Sequence, residues 1–393
     1  MSRSSAIRIS LLTLARHWAV WLPALLLNVI LVSAVGFSLQ GKRFGWFHRV
    51  NVQQLIDQDA QERGVAEQLL KEGISTKSFN DSTCVFILTS RRKLASGYLV
   101  RAVTSLHRHL GSHRPRIFIY NADQDVRKSG PVADADRKEI KEGFTIVRPD
   151  FFPLDENIHH RESCHYGQIL RRAETRNCSW SVVLEDDVKV TTDFMPKLMS
   201  LLQEVKKPCE VGFVKLFDVD NMKGWSVHNR TDIALILLIS VCTAAAVSRF
   251  ANAVHGRFSK LPPSVQYFLS LQWTVTTVFL LGVVGKQRIE WALKSRGLHE
   301  VGRWGDYVGG TQGTVFPGCS VGVFADYLLA NWEGKDSSID NAVDQLLPKA
   351  AREKGLAMYS SSPNLVQHIG LFSTHAKHAN GVSPVASISF QER

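Results

Sequence analysis

The run Ser181-Val-Val-Leu-Glu-Asp-Asp-Val188 is a short strand-type segment that ends abruptly in three acids. A strand over Ser181–Leu184 delivers Glu185, Asp186 and Asp187 to its carboxyl end, the edge at which open α/β sheets bind ligands. Neighbouring carboxylates repel one another unless a cation lies among them, and hard divalent ions take oxygen ligands. The spacing therefore suits a divalent metal, with a solvated acidic turn as the competing reading. Two later stretches carry further chemistry. Asp336-Ser-Ser-Ile-Asp340 precedes a helical pattern at Asn341–Leu347, so Asp340 is either the cap of that helix or a general base presented at its start. Pro363-Asn-Leu-Val-Gln-His-Ile-Gly370 sets His368 among apolar residues, where a lone histidine is more often a core residue than a ligand.

Positioning these groups requires a sheet. Cys84–Thr89 and Arg116–Asn121 read as buried strands, and Phe144–Val147 as a third. Helical patterns over Leu94–Leu110 and Ser163–Thr175 separate them and lead into the acidic strand. Strands alternating with helices in this order predict an α/β fold with a parallel, nucleotide-binding half. Neither a GxGxxG nor a Walker loop occurs, so a dinucleotide site and a P-loop are both unsupported. Residues 44–80 read as a polar helical lead-in, and Gly309–Gly322 reads as a small-residue turn region open to close approach by a substrate.

Three apolar segments interrupt this pattern. Trp18–Leu39 is long enough to cross a bilayer and follows Arg3, Arg8 and Arg16, which favours a cytosolic amino terminus and a signal anchor over a cleaved leader. Ile233–Val247 is short for a span and Val265–Val284 is full length. The connector at 249–263 carries cations and no acid, which fits a cytosolic loop, so the pair reads as a membrane hairpin with two buried core helices as the alternative. The expected organisation is a tail at 1–17, an anchor at 18–40, a stem at 41–80, a first catalytic half at 81–232, the hairpin at 233–285 and a second half at 286–393. Asn-x-Ser/Thr acceptors at Asn80, Asn177 and Asn229 all fall on the luminal side of that topology.

Composition narrows the partners. The net charge of +11 fits an anionic partner such as a nucleotide diphosphate or a phospholipid surface. No basic stripe interleaved with aromatics stands out, which makes nucleic acid the weakest of the anionic partners, and no nucleic acid is expected. The 6 cysteines include no CxxC, which argues against zinc, and Cys164–Cys178 is the favoured disulfide although connectivity is not legible in sequence.

Glu185-Asp186-Asp187 after its strand, the Asp336/Asp340 helix start and the late Gln367-His368-Ile369-Gly370 resemble inverting Golgi glycosyltransferases of the GT-A fold. The acidic triplet and the Gln-His-Ile-Gly run look like the N-acetylglucosaminyltransferase IV type. With the anchor and the hairpin added, the chain resembles the post-GPI-attachment N-acetylgalactosamine transferase family, whose catalytic fold is split by two membrane segments. The resemblance implies a Golgi membrane protein with a luminal GT-A (Rossmann-like) domain, a UDP-sugar donor, Mn²⁺ or another divalent cation, and transfer of N-acetylgalactosamine from UDP-GalNAc to the mannose core of GPI-anchored protein glycans. It implies that Asp187 ligates the metal with Glu185 and Asp186 in support, that His368 completes the shell, and that Asp340, seconded by Asp336, is the base. Thr89, Arg91, Arg92, Asn121, Arg161 and His165 are then candidates for donor contacts, with surface arginine as the plain reading of the cations.

The chemistry is coherent on its own terms. A diphosphate leaving group gathers charge that a cation can neutralise, and a carboxylate within reach of the acceptor hydroxyl improves a poor nucleophile. One displacement assisted by a base inverts the anomeric centre. Two other readings stay open at this stage. One is an N-glycan N-acetylglucosaminyltransferase of the same fold, which gives the hairpin no purpose. The other is a non-catalytic membrane glycan-binding scaffold, in which Asp187→Asn leaves function untouched.

Overall fold

The computed structural model describes residues 52–71, 82–90, 97–122, 144–151, 153, 157–217, 230–255, 263–284, 297–301, 311–332 and 342–369. The chain divides into two compact units, one made of Asn51–Met222 with Lys294–Arg393 and the other of Met1–Val50 with Lys223–Leu293.

The first unit is a mixed sheet covered by helices. In chain order it contains α1 (Val52–Lys71), β1 (Thr83–Thr89), α2 (Tyr98–Arg108), β2 (Arg116–Asn121), β3 (Thr145–Val147), α3 (Ile158–Thr175), β4 (Trp180–Glu185), β5 (Val188–Val190), α4 (Phe194–Gln203) and β6 (Val211–Lys215). After the second unit's α5 (Arg230–His255) and α6 (Pro263–Val284), the first unit resumes with β7 (Gly297–Val301), β8 (Gly313–Pro317), α7 (Gly318–Asn331), α8 (Val343–Glu353), β9 (Ala357–Ser362) and β10 (Val366–His368).

The strand order is β3-β2-β1-β4-β8-β6-β9-β7, and a separate two-stranded ladder joins β10 to β5. β3, β2, β1 and β4 are mutually parallel, β8 runs against both β4 and β6, and β9 is parallel to β6. Six strands therefore end at one edge, with β8 and β7 opposed. Strands from both sides of the interruption share this sheet.

Alternation along each strand divides the core. Val85 and Ile87 of β1 join Leu99, Val103 and Leu106 of α2 and Phe194 and Leu198 of α4 on one face. Cys84 and Phe86 join Ile169 and Leu170 of α3, Phe324 and Leu328 of α7 and Leu346 of α8 on the other. Strand side chains alternate between faces, so one buried apolar run feeds both cores.

Several expectations need correction. The described part of the region, 311–322, is not a set of turns: Gly313–Pro317 is a fully buried strand and Gly318 opens helix α7. Its glycine is required by packing, because a Cβ at Gly313 would lie 2.9 Å from Cγ2 of Val366 and 3.4 Å from Cβ of Leu216. The favoured disulfide is wrong. Cys84 pairs with Cys178 and Cys209 with Cys319, while Cys164 is a buried free thiol on α3. Cys84 and Cys178 stand at the starts of adjacent parallel strands, which is why they meet. The apolar segment expected at Ile233–Val247 belongs to a helix of 26 residues, and the predicted connector continues helical to His255. The sequence Phe-Ala-Asn-Ala-Val-His255 holds no Gly or Pro to stop it until Gly256.

In the second unit α5 and α6 pack on each other. Ser240, Ala244, Thr276 and Thr277 are buried, whereas Leu237, Leu238, Val241, Leu271 and Val275 are exposed. Thr243, Thr274 and Thr277 each donate to a carbonyl one turn earlier. Among the described residues no helix is long and apolar enough to cross a membrane. The expected anchor at 18–40 and the sequons at Asn80 and Asn229 lie outside the described residues.

Candidate active site

The chain reverses direction between β1 and β4. From β1 the order proceeds outward through β2 to β3, whereas β4 and its followers lie on the other side. Such a switch point opens a crevice at the carboxyl ends of the strands, where α/β sheets take their ligands. Register sets the acids there: Leu88 pairs with Glu185, and Thr89 pairs with Asn121 of β2.

Each acid has its own fastening. Glu185 accepts from the Thr311 hydroxyl at 2.5 Å, and Asp186 accepts from the Thr89 hydroxyl across the switch point at 2.7 Å. Asp187 faces the late segment: Oδ2 lies 3.0 Å from Nε2 of His368, and its carbonyl accepts from the Ile369 amide at 2.8 Å. The antiparallel pairing of β10 with β5, His368 opposite Val188, builds this contact. Leu365 reinforces it by donating to the Leu216 carbonyl at 2.8 Å and accepting from Thr191 at 3.0 Å. Asp186, Asp187 and His368 are all buried.

Crowding has an electrostatic signature. Burial, followed by the charge of Asp187, raises the Glu185 carboxyl to about 7, against the Thr311 hydrogen bond and His368, which lower it. Glu162 of α3 raises it further. Burial also raises the Tyr166 phenol, with Glu185 contributing. Sequence reading missed Glu162, Tyr166 and Thr311. The first two sit one turn apart on α3 and follow from a helix that packs over the carboxyl end of β4.

The donor candidates divide. Thr89 and Asn121 stand at the predicted edge, both buried. His165 is turned onto β2, its Nδ1 lying 3.5 Å from the Tyr120 hydroxyl, and burial together with Arg161 lowers it to about 4. Arg161, partly buried, lies one turn ahead of it on α3. Arg91, Arg92, Asp336 and Asp340 lie outside the described residues. Helix α8 begins at Val343 with Ala342 in the cap position.

Metal fit can be judged from the donor set. Among the described residues no group of three or more His, Cys, Asp or Glu converges as a metal cage. A carboxylate and an imidazole do converge, at Asp187 and His368. Two protein donors are what a divalent cation shared with substrate phosphates requires, because phosphate oxygens and water complete its shell. The residues fit a cation of that kind and do not fit a closed structural site.

The switch point presents three fastened acids and a histidine, and the family that the sequence matches makes the class glycosyltransferase. The sequence model of GPI-N-acetylgalactosamine transferase PGAP4 matches residues 83–367, and the chain belongs to that family. Among solved structures, it is similar to mannose-1-phosphate geranyltransferase from Thermus thermophilus, at 10% identity and TM-score 0.30 over 71% of this chain and 73% of that one. It is similar to the mannosyltransferase PcManGT from Pyrobaculum calidifontis in complex with GDP-Man and Mn²⁺, at 11% identity and TM-score 0.24 over 53% and 51%. The mannosyltransferase Ktr4p from S. cerevisiae follows at 9% identity and TM-score 0.26 over 72% and 77%. No curated protein matches the sequence.

Proposed function

We propose that the chain is an inverting, metal-dependent transferase that moves N-acetylgalactosamine from UDP-GalNAc to the mannose core of GPI anchors. The carrying observation is the contact of Asp187 with His368, which joins the acidic strand end to a segment 181 residues later. Asp187 and His368 would hold the cation, and Asp186 is kept in place by Thr89. Bound there, the cation would neutralise charge growing on the departing diphosphate. Thr89 and Asn121 line the strand ends toward the nucleotide. Asp340, with Asp336 as second choice, is the proposed base that takes the proton from the acceptor hydroxyl.

We further propose a Golgi membrane setting with the catalytic unit luminal and α5–α6 seated in the bilayer. Support comes from the inverted distribution of side chains, with large apolar residues outward and Ser240, Ala244, Thr276 and Thr277 inward. Further support comes from the apolar sequence of Val265–Val284, which has the length of a span. Two disulfides in the catalytic unit agree with an oxidising lumen.

The test is a donor screen on detergent-purified protein with a GPI glycan acceptor, scoring UDP release with Mn²⁺ and with EDTA. Release from UDP-GalNAc that EDTA abolishes is the expected result. Equal release with EDTA, or turnover of another sugar nucleotide in its place, would refute the proposal.

A further inference from the structure

Beyond β3 the chain carries an exposed ring on a firmly held backbone. Phe151 is 46% exposed. Beneath it Gln168, buried at 2%, accepts from the Asp150 amide at 2.8 Å and donates to the Phe151 carbonyl at 2.9 Å. The same Gln168 oxygen accepts from the Tyr120 hydroxyl at 3.1 Å, tying the segment to β2. Arg172 adds bonds to the Arg148 carbonyl at 2.6 Å and the Asp150 carboxylate at 2.5 Å. These bonds hold the main chain beneath the ring, so an exposed apolar side chain leaves a backbone already organised for a partner.

Trp332, half-buried at the end of α7, meets it with ring centroids 6.5 Å apart and planes at 45°. Topology puts both rings toward the substrate edge. β3 is parallel to β1 and β4, so residues 148–151 leave on the side of the acids. Helix α7 starts beside the beginning of β4, where Gly318 donates to the Ser179 carbonyl at 2.8 Å. It then runs antiparallel to α3, with Asp326 on Arg171 and Leu329 on Gly167. Its end therefore rises toward the same side. The rings meet across α3, the helix whose Glu162 raises the Glu185 carboxyl.

We propose that Phe151 and Trp332 form a stacking platform for a neutral pyranose ring, an outer subsite for a sugar of the acceptor glycan away from the attacking hydroxyl. The Phe151 ring keeps much of its surface in solvent, and a pyranose offers C–H faces to aromatic surfaces while its hydroxyls stay in water. Among the described residues the neighbouring carboxylates are paired, Asp150 with Arg172 and Asp326 with Arg171, which favours an uncharged occupant over a phosphate. The nucleotide belongs at the β1–β4 switch point, so the platform falls to the acceptor. This inference rests on the reading of the chain as a transferase acting on a glycan.

The test uses full-length protein in detergent and α-linked mannobiose as the probe, with binding followed by saturation-transfer NMR. Wild type is expected to give ring-proton signals, and Phe151→Ala and Trp332→Ala to lose them with unchanged thermal melting. Phe151→Tyr should retain them. In turnover assays the alanine variants should raise the acceptor KM about tenfold and leave donor KM unchanged. Absence of a wild-type sugar signal, or signals that survive both alanine variants, overturns the platform whatever the enzyme's turnover shows. A rise in donor KM would mean a nucleobase platform and also overturns it. So would variants that keep the sugar signal and lose only binding to lipid vesicles. Loss of metal-dependent UDP release in wild type would instead count against the proposed reaction, so the two failures are separable.

Discussion

Asp187 and His368 stand 3.0 Å apart although neither position alone announces the other. The acids were legible because a buried strand that ends in three carboxylates has few plain explanations. His368 was not legible on physical grounds: flanked by apolar residues, it has the profile of a core histidine, and only the resemblance singled it out. On the proposed reading Asp187→Asn should lower UDP release by about 100-fold or more, since neutralising leaving-group charge is worth several kcal/mol. A retained melting temperature would separate this from unfolding, and near-normal turnover would remove Asp187 from the site. Thr89 offers a milder probe. Thr89→Val removes the buried donor to Asp186 and should cost about 1.5–3 kcal/mol of stability, read by chemical denaturation. His165 makes a pH prediction with a defined sign. Its folded value is about 4 against an ordinary 6.5, so between these limits the unfolded chain binds the extra proton. Stability should therefore fall as pH drops from about 6.5 to about 4, by up to roughly 3 kcal/mol. His165→Asn should flatten that slope in a urea-denaturation series, and an unchanged slope would show that the histidine titrates normally.

Elements carry these residues, and their legibility followed their composition. β1, β2 and β4 are apolar runs with polar ends, and the structure has them where the pattern put them. β8 was lost among glycines, since Gly-Thr-Val-Phe-Pro has a weak strand signal and its first residue is small for a tertiary reason. That reason is testable. At Gly313→Ala the new methyl would press on Val366, which is fully buried and β-branched and cannot swing aside cheaply. Overpacking of this kind costs about 1–3 kcal/mol. The displaced strand is β10, so His368, two residues along, should shift with it. Turnover should fall more than stability accounts for, and on the proposed reading Mn²⁺ titration should show a weaker apparent affinity. An alanine variant with normal Mn²⁺ dependence would detach β10's placement from the metal.

At the scale of the whole chain, the question is how one sheet tolerates a long interruption between β6 and β7. Sequence alone could not answer it, because strand order and cysteine pairing both depend on contacts distant in the chain. Two features close the catalytic unit from within. β8 inserts between β4 and β6, and the Cys209–Cys319 disulfide joins the residues flanking β6 to the start of α7. That disulfide encloses 110 residues of separation, a loop length at which crosslinking stabilises by up to about 5 kcal/mol in the chain-entropy account. Cys319→Ala should therefore lower stability by about 2–5 kcal/mol, and its melting should become insensitive to any reductant effect that acts through this bond. The informative comparison is between Cys319→Ala in the intact chain and in a chain whose residues 223–293 are replaced by a short Gly/Ser linker. If the disulfide acts by restraining the unfolded chain, shortening the enclosed loop should reduce its contribution only slightly, because closure entropy grows with the logarithm of loop length. Similar losses in both backgrounds, measured by denaturant unfolding, would establish that the catalytic sheet is closed by its own contacts. A much larger loss in the linker form would mean that the hairpin helps to hold the two halves together.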